Sequence, residues 1–318
     1  MKQFDVVTVG EAMIRLSTRG GQSLETAPFY EVHVGGAESN VAVACARMGK
    51  HVAWMSRVAD DVFGARILGE LRRFGVDVDS VTVEAGSRTG VYYAEIGEDP
   101  RGVSVRYDRA NSAATKMSAH NTDFSILGRS KVLQVSGITP AISRSSAEMT
   151  TQLLAAARES DCRIVFDVNF RSRLWSTDEA RSVLTPMCAM SNVVVCTRED
   201  ARDVFGVQSP DDPAGALATA LSVSQVVLTD GATGVHWHDH GSPGFAPSIP
   251  TSTVDRIGAG DAFCAGVVIG VVDGDLVAGV RVGQAMASLK RTMVGDLYVG
   301  TSTDVEALLG ESVRSVKR

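Results

Sequence analysis

The chain has 318 residues, with 31 basic and 37 acidic side chains and a formal net charge of −6. That balance offers no basic face for nucleic acid, and a small anionic substrate would have to be met by a few local arginines. A composition that is 44% apolar and 21% charged is ordinary for one large α/β domain with an ample core.

Residues 4–9 read as a first strand, with no basic stretch, apolar run and small-residue cleavage site of a leader before it. Residues 12–34 then hold strand-like pieces and glycines with no helix between them. Residues 38–48 carry small and apolar side chains at helical spacing and stop at Gly49. A second strand at 52–58 leads into an amphipathic helix at 62–74, with Phe63, Ile67, Leu71 and Phe74 on one face and Arg66, Glu70 and Arg73 pointing away. Residues 89–109 repeat the helix-free pattern of 12–34. Together these two segments are expected to form a small β-sheet lid over one edge of the main layer, where it would exclude water from a transfer reaction.

Short apolar runs at 131–135, 164–168, 193–197 and 225–229 have the character of parallel strands buried on both faces. Helical stretches at 145–159, 177–190 and 213–221 separate them. The expected architecture is a single α/β domain over residues 1–318, three layers deep, with a mostly parallel central sheet and the lid. The most apolar helical window, 262–272, is shorter than the roughly 20 residues that span a bilayer, so no membrane partner is expected. Cys45, Cys162, Cys188, Cys196 and Cys264 are scattered and odd in number, which fits buried thiols in a reducing cytoplasm better than disulfides or zinc.

The stretch Val254-Asp-Arg-Ile-Gly-Ala-Gly-Asp-Ala-Phe-Cys-Ala-Gly266 carries the chemistry. Gly258, Ala259 and Gly260 lead into an apolar helix expected to open at Asp261. Their small side chains let backbone N–H groups approach a ligand, and a helix start favours a phosphate. Phosphoryl transfer needs such an anion hole, and it needs a group to accept the hydroxyl proton; Asp261 stands beside the hole to do so. On the residues alone, an ordinary glycine-rich helix start with Asp261 as its cap is the competing reading.

The string Gly258-Ala-Gly-Asp-Ala-Phe-Cys-Ala-Gly266 is similar to the C-terminal signature of the ribokinase-like, phosphofructokinase-B-type carbohydrate kinases. Gly35-Gly-Ala-Glu-Ser-Asn40, continuing to Gly49, resembles that family's N-terminal signature. The P-loop string G-x-x-x-x-G-K-[ST] is absent, and Gly10-Glu-Ala after the first strand is not a dinucleotide fingerprint. The resemblance covers essentially the whole chain. It implies a ribokinase-like fold, transfer of the γ-phosphoryl group of ATP, and Mg²⁺ held mainly by nucleotide phosphates and water, with no dedicated protein cage for the metal. Gly35, Gly36 and Asn40 would meet substrate hydroxyls.

Within the family the chain looks most like 2-keto-3-deoxygluconate kinases, on Gly10-Glu-Ala-Met13, Thr89-Gly-Val-Tyr92, Tyr107-Asp-Arg109 and Asp167-Val-Asn-Phe-Arg171. That likeness implies Arg109 and Arg171 for the acid and keto end of a sugar acid, and Tyr92 and Tyr107 for its hydroxyls. A planar carboxylate suits a guanidinium, whereas a neutral sugar gives an arginine nothing to pair with. Arg173 is expected to stay solvated, and Asp108 to point outward. Fructose, ribose or 2-keto-3-deoxygalactonate on the same machinery, and a catalytically silent sugar- or nucleotide-binding protein, are the other readings.

For the nucleotide, Thr229-Asp-Gly231-Ala-Thr-Gly234 resembles the family's glycine turn, and Thr197-Arg-Glu199-Asp200 its magnesium-ordering motif, with either carboxylate as the match. Ala285, Ser288, Thr292 and Gly295 resemble the helix and turn that close over adenine. Asp255-Arg256-Ile257 replaces the usual Asp-Thr-Thr, which puts in doubt the monovalent-cation site of some relatives and sets Arg256 near the phosphates. His236, His238 and His240 alternate toward a turn, a pattern that suits an exposed hairpin better than a metal site. The basic residues at 314–318 read as a solvated terminus. Small exposed sheets pair, so a homo-oligomer is expected, if at all, through the lid.

Overall fold

The computed structural model describes residues 2–97 and 100–310; the basic tail at 314–318 lies outside them. In chain order, β1 (Phe4–Val9), β2 (Met13–Ser17) and β3 (Glu31–Gly35) precede α1 (Ala37–Arg47), β4 (Val52–Ala59), α2 (Val62–Arg73) and β5 (Val81–Glu84). Then come β6 (Val91–Ile96), β7 (Val103–Asp108), β8 (Ser130–Ser136), α3 (Ile138–Ala141), α4 (Arg144–Glu159), β9 (Arg163–Asp167), α5 (Thr177–Ala189) and β10 (Val193–Thr197). The last third holds α6 (Arg198–Asp203), α7 (Pro213–Leu221), β11 (Gln225–Asp230), β12 (Gly234–Asp239), β13 (Ser242–Pro247), α8 (Ala259–Asp273), α9 (Leu276–Arg291) and α10 (Ser302–Leu309).

Among the described residues, nine strands form the main sheet in the order β13-β12-β11-β10-β9-β8-β1-β4-β5. It is parallel from β11 to β5, and the antiparallel β12–β13 hairpin completes the far edge. The apolar runs are buried on both faces because alternate side chains serve two cores. Val6 and Val165 pack with α1, α8 and α9 through Val41, Phe263 and Val280. Val7, Ile164 and Phe166 pack on the other side with Met149 of α4, Leu184 of α5 and Leu217 of α7. This is the expected three-layer α/β/α architecture.

Helix α2 departs from the expected face. Its buried stripe is Gly64, Ile67, Leu68 and Leu71, at i, i+3, i+4 and i+7, so Phe63 is rotated off it and stands 40% exposed. Among the described residues no helix is long and apolar enough to cross a membrane.

A second sheet, of four strands among the described residues, has the order β3-β2-β6-β7 and draws on the two helix-free segments. Its two hairpins, β2–β3 and β6–β7, are antiparallel, and they join through a parallel β2–β6 pairing with Ile14 opposite Val91.

Candidate active site

A cleft opens beyond the carboxyl ends of β1 and β8 to β11, where open α/β sheets bind ligands, and the small sheet roofs it through Met13, Tyr92, Val105 and Tyr107. It has two connected parts, a cavity of about 390 Å³ and a wider groove of about 1390 Å³. Val103, Thr197, Thr229, Arg256, Gly260 and Phe263 line both.

At the junction lies the start of α8. Gly258 has φ of +87°, and a Cβ there would collide with the carbonyl oxygen of Asp296, so only glycine fits. Gly260 faces open space, with nothing within 4 Å of where a Cβ would stand. The N–H groups of Gly260 and Asp261 have no acceptor among the described residues, which leaves them free for an anion. Ala259 faces the wider groove.

The helix begins at Ala259, two residues before the expected opening, so Asp261 is the third residue of the first turn and not its cap. Its Oδ2 accepts a hydrogen bond of 2.6 Å from Asn40 Nδ2. Desolvation raises its pKa to about 6, while Asn40 and the positive charge of Arg171 hold it down. At neutral pH the carboxylate is therefore ionised and close to its proton-accepting range.

The smaller cavity contains Gly35, Gly36, Asn40, Tyr92, Tyr107, Arg109 and Arg171 along its wall. A Cβ on Gly35 would strike Tyr92 Oη, and one on Gly36 the carbonyl of Glu11, so these glycines let the lid and α1 meet. Arg171 is exposed, and its one protein hydrogen bond among the described residues runs from Nη1 to the carbonyl of its neighbour Phe170, at 3.0 Å. No carboxylate lies within 4.0 Å of it among the described residues, but it faces three. Asp167 is raised to about 8 by desolvation and by Asp261 beside it. Asp200 is raised to about 6 by desolvation. Arg171 lowers both.

Tyr92 and Arg109 line the cavity with their polar groups already engaged. Tyr92 Oη donates to Asp296, and Arg109 donates from Nε (2.8 Å) and Nη2 to Glu11, which also accepts from Ser112. Tyr107 leans on Tyr92 with ring centroids 5.6 Å apart and is 42% exposed. Asp108 turns away and pairs with Arg88 at 2.7 Å. Arg173 is exposed but not merely solvated, since Nη1 donates to the carbonyl of Val105 in β7 at 2.7 Å.

The wider groove is lined by Thr197, Glu199, Thr229, Gly231, Gly234 and Ser288. Gly231 (φ +52°) and Gly234 (φ +146°) shape the turn between β11 and β12. Thr197 caps α6 by accepting from Asp200 N at 2.9 Å. Glu199 is 77% exposed and turned toward Arg202, whereas Asp200 lines the smaller cavity. Of the four residues expected near adenine, Ser288 lines the groove. Ala285 is in the core, Thr292 caps α9, and Gly295 N is bonded to Asp255. His236 packs on Phe245 with centroids 4.8 Å apart, and no group of three metal-ligating side chains occurs among the described residues.

Beneath the α8 start lies a cluster that sequence patterning does not announce. Fully buried Arg15 of β2 donates to Asp255 at 2.7 Å and to Asp296 at 2.8 Å. Glu38, also buried, accepts from Ser136 and Thr139 and packs on Gly10; desolvation raises its pKa. The signal that could have found Asp167 is a carboxylate near the carboxyl end of the apolar run at 164–168, at the edge where ligands bind.

A family model described as pfkB family carbohydrate kinase matches residues 3–301. A 2-dehydro-3-deoxygalactonokinase of Haloferax volcanii is 39% identical over 308 residues, 96% of each chain. The solved 2-dehydro-3-deoxygluconokinase of Thermotoga maritima is 30% identical with a TM-score of 0.90, over 96% of this chain and 98% of that one. A putative ribokinase II from E. coli, solved with ATP and Mg²⁺, has a TM-score of 0.87 over 96% of this chain and 99% of that one; at 20% identity it speaks for the fold.

Proposed function

The chain belongs to the pfkB family of carbohydrate kinases, and we propose that it phosphorylates the primary hydroxyl of a 2-keto-3-deoxy sugar acid, 2-keto-3-deoxygluconate giving the 6-phosphate. The observation that carries this is Arg171, a guanidinium without an ion-pair partner among the described residues, set in the same small cavity as Asp261. A sugar acid would bring it a carboxylate; fructose or ribose would not.

Asp261 accepts the proton of the attacking hydroxyl, held in place by Asn40. The free amides of Gly260 and Asp261, with Gly258 and Ala259 shaping the turn, hold the migrating charge. Gly35 and Gly36 admit the sugar, and Tyr107 and the apolar flank of Tyr92 bound it. Arg109, partnered by Glu11, offers its remaining donors to the acid end. Bound MgATP supplies the transferable phosphoryl group. Thr229, Gly231, Gly234 and Ser288 fit the nucleoside side of the groove, and Thr197, with Glu199 from the groove or Asp200 from the smaller cavity, the magnesium-bearing phosphates. Arg256 is exposed at the junction of the two cavities, near where the phosphates would meet the acceptor. Five unpaired, buried cysteines fit a cytoplasmic setting.

A coupled ADP-release assay across sugar acids and neutral sugars tests the proposal. A preference for fructose or ribose over every keto-deoxy acid defeats it. The C4 epimer, 2-keto-3-deoxygalactonate, is the second reading, favoured by the 39% identity to the H. volcanii enzyme against 30% for the T. maritima one.

A further inference from the structure

Lys290, at the end of α9, has no exposed surface at all. Its ammonium donates to two backbone carbonyls, that of Asp255 at 3.3 Å and that of Met293 at 3.2 Å. The first belongs to the segment that runs into Gly258, and the second to the turn that leads to Asp296. Arg15 is buried in the same cluster against the carboxylates of Asp255 and Asp296. Two cations thus oppose two carboxylates, and the group is neutral.

The two aspartates border the turn that forms the anion hole. Asp255 Oδ1 accepts from Ile257 N at 3.1 Å, and Oδ2 accepts from Gly295 N at 3.1 Å. The Asp296 carbonyl packs on Gly258. Burial pushes the Lys290 pKa down, and the charges of Asp255, Asp296 and Asp261 counter that push, while Arg15 adds to it. Converging carbonyl oxygens beside a carboxylate are the ligand chemistry of a hard monovalent cation. Here a tethered ammonium already meets those carbonyls, so the residues present do not fit a free ion.

We propose that Lys290 is a positioning residue that supplies, from within the chain, the positive charge a monovalent cation would otherwise bring under the glycine turn. The activity readout rests on the kinase reading; the melting-temperature readout does not. The experiment compares sodium, potassium, ammonium and choline chlorides at equal ionic strength.

Wild-type turnover with any accepted acceptor should stay within about twofold across the four salts, and its melting temperature should follow ionic strength alone. Lys290→Ala should lose on the order of a hundredfold in kcat in choline, the scale of a lost oxyanion donor. Potassium or ammonium should then restore much of the rate and raise the variant's melting temperature, while Lys290→Met, which fills the space, responds to neither. Activation of the wild type tenfold or more by potassium overturns the proposal. So does a folded Lys290→Ala that keeps its rate in choline, or one whose melting temperature is the same in all four salts. If no acceptor is turned over, the kinase reading has failed, and the melting temperatures still decide the cation question.

Discussion

Arg15 Nη2 lies 2.7 Å from Asp255 Oδ2, across 240 positions of sequence, and neither side chain is more than 3% exposed. One residue belongs to the small sheet and the other to the approach to the glycine turn at the start of α8. The roof of the cleft is therefore bonded to the floor beneath that turn.

Breaking that bond should be costly. Arg15→Met leaves Asp255 and Asp296 buried without their partner, and removing one member of a buried pair costs about 3–5 kcal/mol. Urea unfolding should show a loss of that order. A loss below about 1 kcal/mol would mean the carboxylates find water or protonate at little expense.

Asp261→Asn keeps an acceptor for Asn40 Nδ2 but removes the base. Its kcat should fall by about 10²- to 10⁴-fold, with the KM for ATP little changed and the melting temperature close to wild type. Turnover at the wild-type rate would remove Asp261 from the chemistry.

Arg171→Ala should raise the KM for the sugar acid by about 10- to 100-fold, the worth of one charged hydrogen bond, and leave the KM for ATP alone. A variant with unchanged kinetics shows that this guanidinium does not touch the acceptor.

The pH profile gives an independent check on the same residues. A base whose pKa is raised to about 6 is ionised above that value and captures protons below it. Wild-type kcat/KM should fall on the acid side of pH 6, about tenfold per unit at the limit. Arg171 lowers the pKa of Asp261, so the acid limb of Arg171→Ala should move to higher pH. An acid limb that moves downward, or stays, contradicts the charge arrangement described.

Arg256→Ala tests the junction of the two cavities. If Arg256 meets the phosphates, kcat or the KM for ATP should worsen by about tenfold or more, with Arg256→Lys retaining part of the function. An unaltered ATP response leaves Arg256 as a solvated side chain.

The parallel strands were legible because a short, unbroken apolar run bounded by turn residues suits a strand covered on both faces. Val193–Thr197 and Pro213–Leu221 match their elements to the residue. The residues of the cleft were legible because glycine turns and a helix start leave short, dense signatures. What could not be read is what those residues do to one another. Nothing near Tyr92 or Arg109 in sequence indicates that Asp296 and Glu11 occupy their polar atoms. Likewise Lys290 sits among helical residues whose spacing would suit an exposed basic end, and only the fold shows it sealed inside.

The parallel contact between β2 and β6 unites two excursions that leave the main sheet at separate points, one after β1 and one after β5. Neither hairpin adjoins the other in the chain: β2 meets β6 across the whole of β3, α1, β4, α2 and β5. Distant pairings of this kind form slowly, because loop closure must precede the contacts that reward it. The roof thus rests on tertiary closure and not on local turns, and a change that loosens the β2–β6 pairing would part the two hairpins and open the cleft beneath them.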